Sequence, residues 1–119
     1  MILAVVDDLM FSSKIRSAAA QLHLPVVFAR SSAAAMLEMN KSRPKLVILD
    51  LDSPRTDPIG ILGTMKHDNA LRDIPAIGFV SHVRADLIQA AQDAGAEEVL
   101  PRSAFTSRLP EILSRAKTP

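Results

Sequence analysis

Leu46–Val47–Ile48–Leu49–Asp50 is the stretch that decides how this chain folds. Four apolar residues deliver one carboxylate, and Pro54 follows it by four. A short apolar run with β-branched members reads as a strand buried on both faces. The polar residue marks where such a strand emerges, so Asp50 is expected at a strand's C-terminal edge. In open α/β sheets ligands bind at that edge. A second run, Ile2–Leu3–Ala4–Val5–Val6, also ends in carboxylates, Asp7 and Asp8. Two strands bringing three carboxylates to one edge form a candidate site for a hard cation.

Strand-like and helix-like segments alternate along the rest of the chain. Phe11, Ile15, Ala18, Ala19 and Leu22 repeat at helical spacing. Pro25 opens Val26–Val27–Phe28–Ala29, a second strand. Ser31 and Ser32 are N-cap candidates for a short helix over Ala33–Asn40. Pro44 breaks the chain before the Asp50 strand, and Ser53–Pro58 reads as a loop. Ile59, Leu62 and Met65 begin a third helix that Gly60 and Gly63 weaken. Ile74–Val80 is a fourth strand ending at Ser81. Leu87, Ala90, Ala91 and Ala94 mark a fourth helix, with Gly95 as its stop. Glu98–Val99–Leu100 is a short fifth strand. Leu109, Ile112, Leu113 and Ala116 form a last helix, with Pro110 in its first turn. Five βα units imply a parallel sheet with helices on both faces. The expected fold is α/β, a flavodoxin-like doubly wound (βα)5 domain with strand order 2-1-3-4-5, spanning residues 1–119 as one unit.

Composition removes several function classes. The 119 residues are 48% hydrophobic and 23% charged, enough for a real core. A net charge of +1 gives no argument for direct nucleic-acid binding or an anionic membrane surface. The aromatics are four Phe without Trp or Tyr, too few to stack single-stranded bases. There is no cysteine, so disulfides, thiolate metal sites and a Cys nucleophile are excluded. His23, His67 and His82 lack metal-ligand spacing. No run approaches the ~20 apolar residues of a membrane span. The residues after Met1 do not form a signal peptide, so a cytoplasmic location is expected. No Gly-x-Gly-x-x-Gly follows the first strand, which argues against a dinucleotide-binding domain.

The strand ends give an ordered set: Asp7 and Asp8, then Asp50, then Ser81, then Arg102 just past the fifth strand. A parallel sheet places them all on one edge. Crowded carboxylates raise one another's proton affinity, and a divalent cation relieves their repulsion. Mg²⁺ suits one or two carboxylates with waters and a phosphate oxygen. A hydroxyl and a guanidinium at the rim could hold other phosphate oxygens. The set supports phosphoryl transfer to a carboxylate. Taken singly, Asp7 and Asp8 also suit the N-terminus of the first helix. Arg102 reads equally as a site ligand and as a solvated surface residue.

Over essentially its whole length the chain resembles a response-regulator receiver domain. Asp7–Asp8 is similar to that family's acidic pair, and Leu46–Pro54 to its phosphoacceptor segment, Pro included. Ile74–Pro75–Ala76–Ile77 leading to Ser81 resembles its fourth strand with a Ser/Thr. Ala94–Gly95–Ala96 resembles the signature before its fifth strand. The resemblance implies that Asp50 accepts the phosphoryl group and that Ser81 hydrogen-bonds the phosphoryl oxygens. It implies that Asp8, Asp50 and the backbone carbonyl of Asp52 ligate Mg²⁺, with Asp7 acting mostly through water. It also implies a histidine kinase or phosphotransfer protein as donor and an unknown output protein as partner, in two-component phosphorelay signalling.

The departures lie after the fourth and fifth strands. Arg102–Ser103–Ala104 stands where the family carries Lys-Pro-Phe, with Phe105 one place late. Val99 takes the place of the aromatic switch residue, and His82 replaces a small residue after Ser81. A planar guanidinium fits phosphate but does not occupy the space of a compact ammonium. Arg102 and Val99 favour a rival reading, an atypical receiver serving as a constitutive interaction module without phosphorylation, while the intact set Asp7, Asp8 and Asp50 argues against it. A third reading is an enzyme: Asp50–Leu51–Asp52 also looks like the nucleophile motif of haloacid-dehalogenase-like phosphatases. Those proteins place the motif on the first strand, followed by Gly-Thr, whereas here Ser53–Pro54 follows the third strand.

Overall fold

A computed structural model describes residues 1–81 and 84–117. The elements are β1 (Ile2–Val5), α1 (Leu9–Gln21), β2 (Val26–Ala29), α2 (Ser32–Ser42), β3 (Leu46–Asp50) and α3 (Pro58–Lys66). They continue as β4 (Ala76–Val80), α4 (Ala85–Ala94), β5 (Glu98–Pro101), α5 (Arg102–Ser107) and α6 (Leu109–Ser114). The five strands are all parallel, in the order β2-β1-β3-β4-β5. This is the flavodoxin-like arrangement that the alternation of elements predicts.

Strand periodicity splits the core in two. Ile2, Ala4, Leu46, Ile48, Ile77 and Phe79 face α1, α5 and α6. Leu3, Val5, Val47, Leu49, Ala76 and Val80 face α2, α3 and α4. Successive side chains of a strand point to opposite faces, so a run apolar at every position can serve both layers. All of β1, β3 and β4 is buried, including Asp50 at the very end of β3.

Two glycines are dictated by geometry. Gly95 closes α4 at φ 115°, a left-handed conformation that disfavours side chains. A Cβ on Gly78 would lie 2.8 Å from Leu51 Cδ1. Its absence lets Leu51 lie against β4 directly after Asp50, which keeps the following loop close to the end of β4.

The structure shifts several boundaries: α2 runs Ser32–Ser42 rather than Ala33–Asn40, α3 takes in Pro58, and β5 extends to Pro101. β4 starts at Ala76 rather than Ile74, because Ile74 closes a turn by donating to the Leu71 carbonyl at 3.0 Å and Pro75 has no N–H. The segment after β5 holds two helices where one was expected. α5 begins immediately at Arg102 and ends at Ser107, and Pro110 sits in the first turn of α6. Pro110 has no N–H with which to continue the α5 ladder, so the chain restarts there.

Candidate functional site

Asp8 is the N-cap of α1. Its Oδ1 accepts from the Met10 N–H at 2.9 Å and the Phe11 N–H at 3.1 Å. That is the helix-capping role a carboxylate fills at a positive helix end. It leaves Oδ2 turned the other way. Asp50 is nearly buried, with its side chain 7% exposed. Its Oδ1 accepts from the Asp52 N–H at 3.0 Å, and its Oδ2 also remains outside that bond.

Arg102 bridges these two residual oxygens. One guanidinium nitrogen lies 3.7 Å from Asp8 Oδ2 and 3.8 Å from Asp50 Oδ2. These are ion-pair distances rather than hydrogen bonds. The guanidinium carbon sits 4.7 Å from the Phe11 ring centroid and 5.6 Å from that of Phe79. Phe79 in turn lies between Phe11, at 4.5 Å, and Phe105, at 4.8 Å. Arg102 is therefore seated on an aromatic slab built from α1, β4 and α5. Its Nε is buried with no hydrogen-bond partner in the protein.

The remaining site residues spread outward. Asp7 reaches Arg30 at 3.3 Å through Oδ1 and Arg55 at 3.7 Å through Oδ2. Asp52 Oδ2 accepts a short bond of 2.5 Å from the Ser81 N–H, tying the β3–α3 loop to the end of β4. The structure thus brings Asp8, Asp50 and Arg102 together, and it links Asp52 and Ser81 to them. It holds Asp7 at the rim on two arginines. His82 lies outside the described residues. Val99, at the switch position, is half-buried against the α2–α4 core layer.

Burial raises the pKa of Asp50. The Asp52 N–H and then Arg102 pull it back down, while the Asp52 and Asp8 charges push it further up.

Arg30, Arg55 and the phenylalanine slab did not emerge from sequence reading. Arg30 carried a usable signal: it directly follows β2, which pairs with β1 so that Ala29 lies opposite Val5. Arg30, one step past β2, then comes level with Val6, next to Asp7. Arg55 carried no such signal, because its position depends on the path of an irregular loop.

The donor types suit a hard cation: two carboxylates with an uncapped oxygen each, and a neighbouring backbone carbonyl at Asp52. Their placement suits it less well. Among the described residues no three His, Cys, Asp or Glu side chains are grouped to hold a metal ion. Arg102 lies against the two oxygens that a metal would need. No described helix is long and apolar enough to cross a membrane.

No protein-family model and no curated protein matches the chain. Solved structures do. The phosphorylated cyanobacterial phytochrome response regulator RcpA is 28% identical, with a TM-score of 0.81 over 94% of this chain and 86% of its own. A response regulator from Hahella chejuensis is 22% identical, with a TM-score of 0.87 over 98% and 94%. The Mn²⁺-bound form of the response regulator Rcp1 is 21% identical, with a TM-score of 0.83 over 95% and 91%.

Proposed function

The chain is a receiver domain of the response-regulator fold, and we propose that residues 1–119 act as one phosphoryl-accepting signalling unit with Asp50 as acceptor. The supporting observation is the state of the Asp50 carboxyl. It ends a fully buried strand, has one oxygen oriented by the Asp52 N–H, and has the other beside a guanidinium. A carboxylate stripped of water and fixed in direction is prepared to act as a nucleophile.

In this reading an Asp50 oxygen attacks the phosphorus of a phosphohistidine on a histidine kinase or phosphotransfer protein. The P–N bond breaks and the leaving imidazole keeps its electron pair. Arg102 offers planar N–H donors to the phosphoryl oxygens. The Ser81 hydroxyl donates to another, and Asp52 positions Ser81 through its backbone N–H. Asp8, Asp50 and the Asp52 carbonyl, with Asp7 through water, would hold Mg²⁺, which would neutralise charge on the transferring group. Output runs through contacts with another protein in the cytoplasm, with no nucleic acid bound directly and without turnover as an enzyme.

A second reading has its own observation. Arg102 already offsets charge on Asp8 and Asp50, as it would in an interaction module that has no need of phosphorylation. The phosphatase reading is weaker, because the Asp52 carboxylate that would serve as acid or base is engaged by Ser81. Intact mass after incubation with Mg²⁺ and an acyl phosphate decides between the first two. One added phosphoryl group, absent in Asp50→Asn, is the expected result. No adduct in either protein leaves the interaction module.

A further inference from the structure

We propose that Arg102 is the resident cation of this site and competes with a divalent metal ion for Asp8 and Asp50. The inference rests on the reading that those carboxylates are metal ligands. It adds that this chain carries a built-in antagonist of the metal.

The geometry is specific. Asp8 and Asp50 each commit one oxygen to a backbone N–H, to the α1 N-terminus and to Asp52 respectively. The second oxygen of each faces the same nitrogen of Arg102, at 3.7 and 3.8 Å. A metal ion drawing on both residues would take those same Oδ2 atoms. Two like cations cannot share them in a partly dry site, because repulsion between charges grows as the effective dielectric falls.

Arg102 is also held from below. Its guanidinium lies over Phe11 and near Phe79. Such contacts strengthen as the cation loses its water. With Nε buried and unbonded, the ring seat and the two carboxylates are what fix the head group. A Lys would not reproduce this, since it has no planar face to lay on a ring. Asp7 reinforces the effect: Arg30 and Arg55 draw it away from the centre. Three carboxylates, Asp7, Asp8 and Asp50, thus face three guanidinium groups, which lowers the field that would attract a dication.

Competition is reciprocal. Metal binding must lift Arg102 from the ring slab, and anything that draws Arg102 off the slab, such as a phosphoryl group, must favour the metal. The Asp50 phosphoryl state and metal occupancy are therefore coupled through one side chain.

The test is Mn²⁺ binding to the full chain, followed by the electron paramagnetic resonance signal of free Mn²⁺ and repeated with Mg²⁺ by calorimetry. Arg102→Met keeps an apolar stem on the rings and removes the charge. Arg102→Lys keeps the charge and removes the planar seat. Thermal melts verify that each folds. We expect Arg102→Met to bind Mn²⁺ at least tenfold more tightly than the parent, with Arg102→Lys between them and the gain lost on adding Asp8→Asn. Equal or weaker binding by Arg102→Met overturns the competition while leaving the metal site intact. Absence of binding in every form overturns both the competition and the metal part of the proposed function. Phosphoryl uptake at Asp50 is then judged separately by mass.

Discussion

Two clusters of arginine and carboxylate stand at different places on this molecule, and they are built in opposite ways. Beside β5, Arg108 and Arg115 each bond both Glu98 and Glu111, at 3.0–3.2 Å. All four carboxylate oxygens are used, and the ring is closed on itself. At the C-terminal edge of β1 and β3, the contacts of Asp7, Asp8 and Asp50 with their arginines are 3.3–3.8 Å. There, Asp7 accepts one bond from Arg30 Nε at 3.3 Å, while Asp8 and Asp50 face Arg102 without bonding it. The titration of the two clusters differs in the same sense. The hydrogen bond from Arg115 holds Glu98 below the usual carboxylate range against a smaller opposing effect of desolvation. Burial holds Asp50 above that range. Well-made pairs settle a structure, whereas a buried carboxylate whose partners do not compensate for lost water is the environment that the proposed role of Asp50 requires.

The largest test of this contrast removes the floor of the site. Phe79 is fully buried between Phe11 and Phe105. Phe79→Ala should destabilise the fold by about 3–5 kcal/mol in urea unfolding. It should also loosen Arg102, so the surviving folded protein should show altered Mn²⁺ affinity. A loss below about 1 kcal/mol would mean that the three rings are not the core of that layer and that Arg102 has no firm seat. The side chains of the β5 ring itself are 30–58% exposed, so their truncation creates no comparable cavity.

A smaller effect is expected from breaking the ring itself. Glu98→Ala leaves Arg108 and Arg115 sharing Glu111 alone, and it should cost on the order of 1 kcal/mol, within the usual range for exposed networks. That loss should shrink in 1 M salt, where the Debye length falls to about 3 Å. The Phe79→Ala loss should not. A Glu98→Ala effect that persists undiminished in high salt would show that packing, not charge, holds β5 to α6.

Much of this was legible in the sequence, and the parts that were not share a cause. Leu46–Asp50 reads as a strand because each residue serves one of two layers, and the strand bounds match. The order of strands follows from alternating βα units and short connections. Asp8 illustrates how two readings can both hold: it caps α1 and also turns an oxygen to the site. Arg102 was open between ligand and surface, and its side chain is 34% exposed while spanning two carboxylates. What settles its position is Phe11 from α1 and Phe79 from β4, residues far apart in sequence that meet only once the sheet has formed. Arg30 and Arg55 were missed for the same reason. Periodicity reports an element's own face, whereas cross-element pairs depend on register and loop path.

The smallest predicted effect carries the clearest sign. Asp50 binds its proton more tightly in the folded chain than in the unfolded one, because burial penalises its charge. Between the ordinary carboxylate range and its raised folded value, the native state therefore holds more protons than the unfolded state. Stability from this group must fall as pH rises across that window. Glu98 runs the other way: its contribution is present above the ordinary range and is lost as pH falls through its lowered folded value. Asp50→Asn keeps an acceptor for the Asp52 N–H and removes the buried charge. With metal chelated, it should unfold at a higher urea concentration than the parent near neutral pH, by an amount that vanishes on acidification. Glu98→Gln should be less stable than the parent near neutral pH, and its deficit should also vanish in acid. Opposite signs at neutral pH, converging at low pH, would confirm that one cluster spends stability and the other supplies it. If Asp50→Asn is instead the less stable protein at neutral pH, Arg102 compensates the buried carboxylate in full, and the distinction between the two clusters disappears.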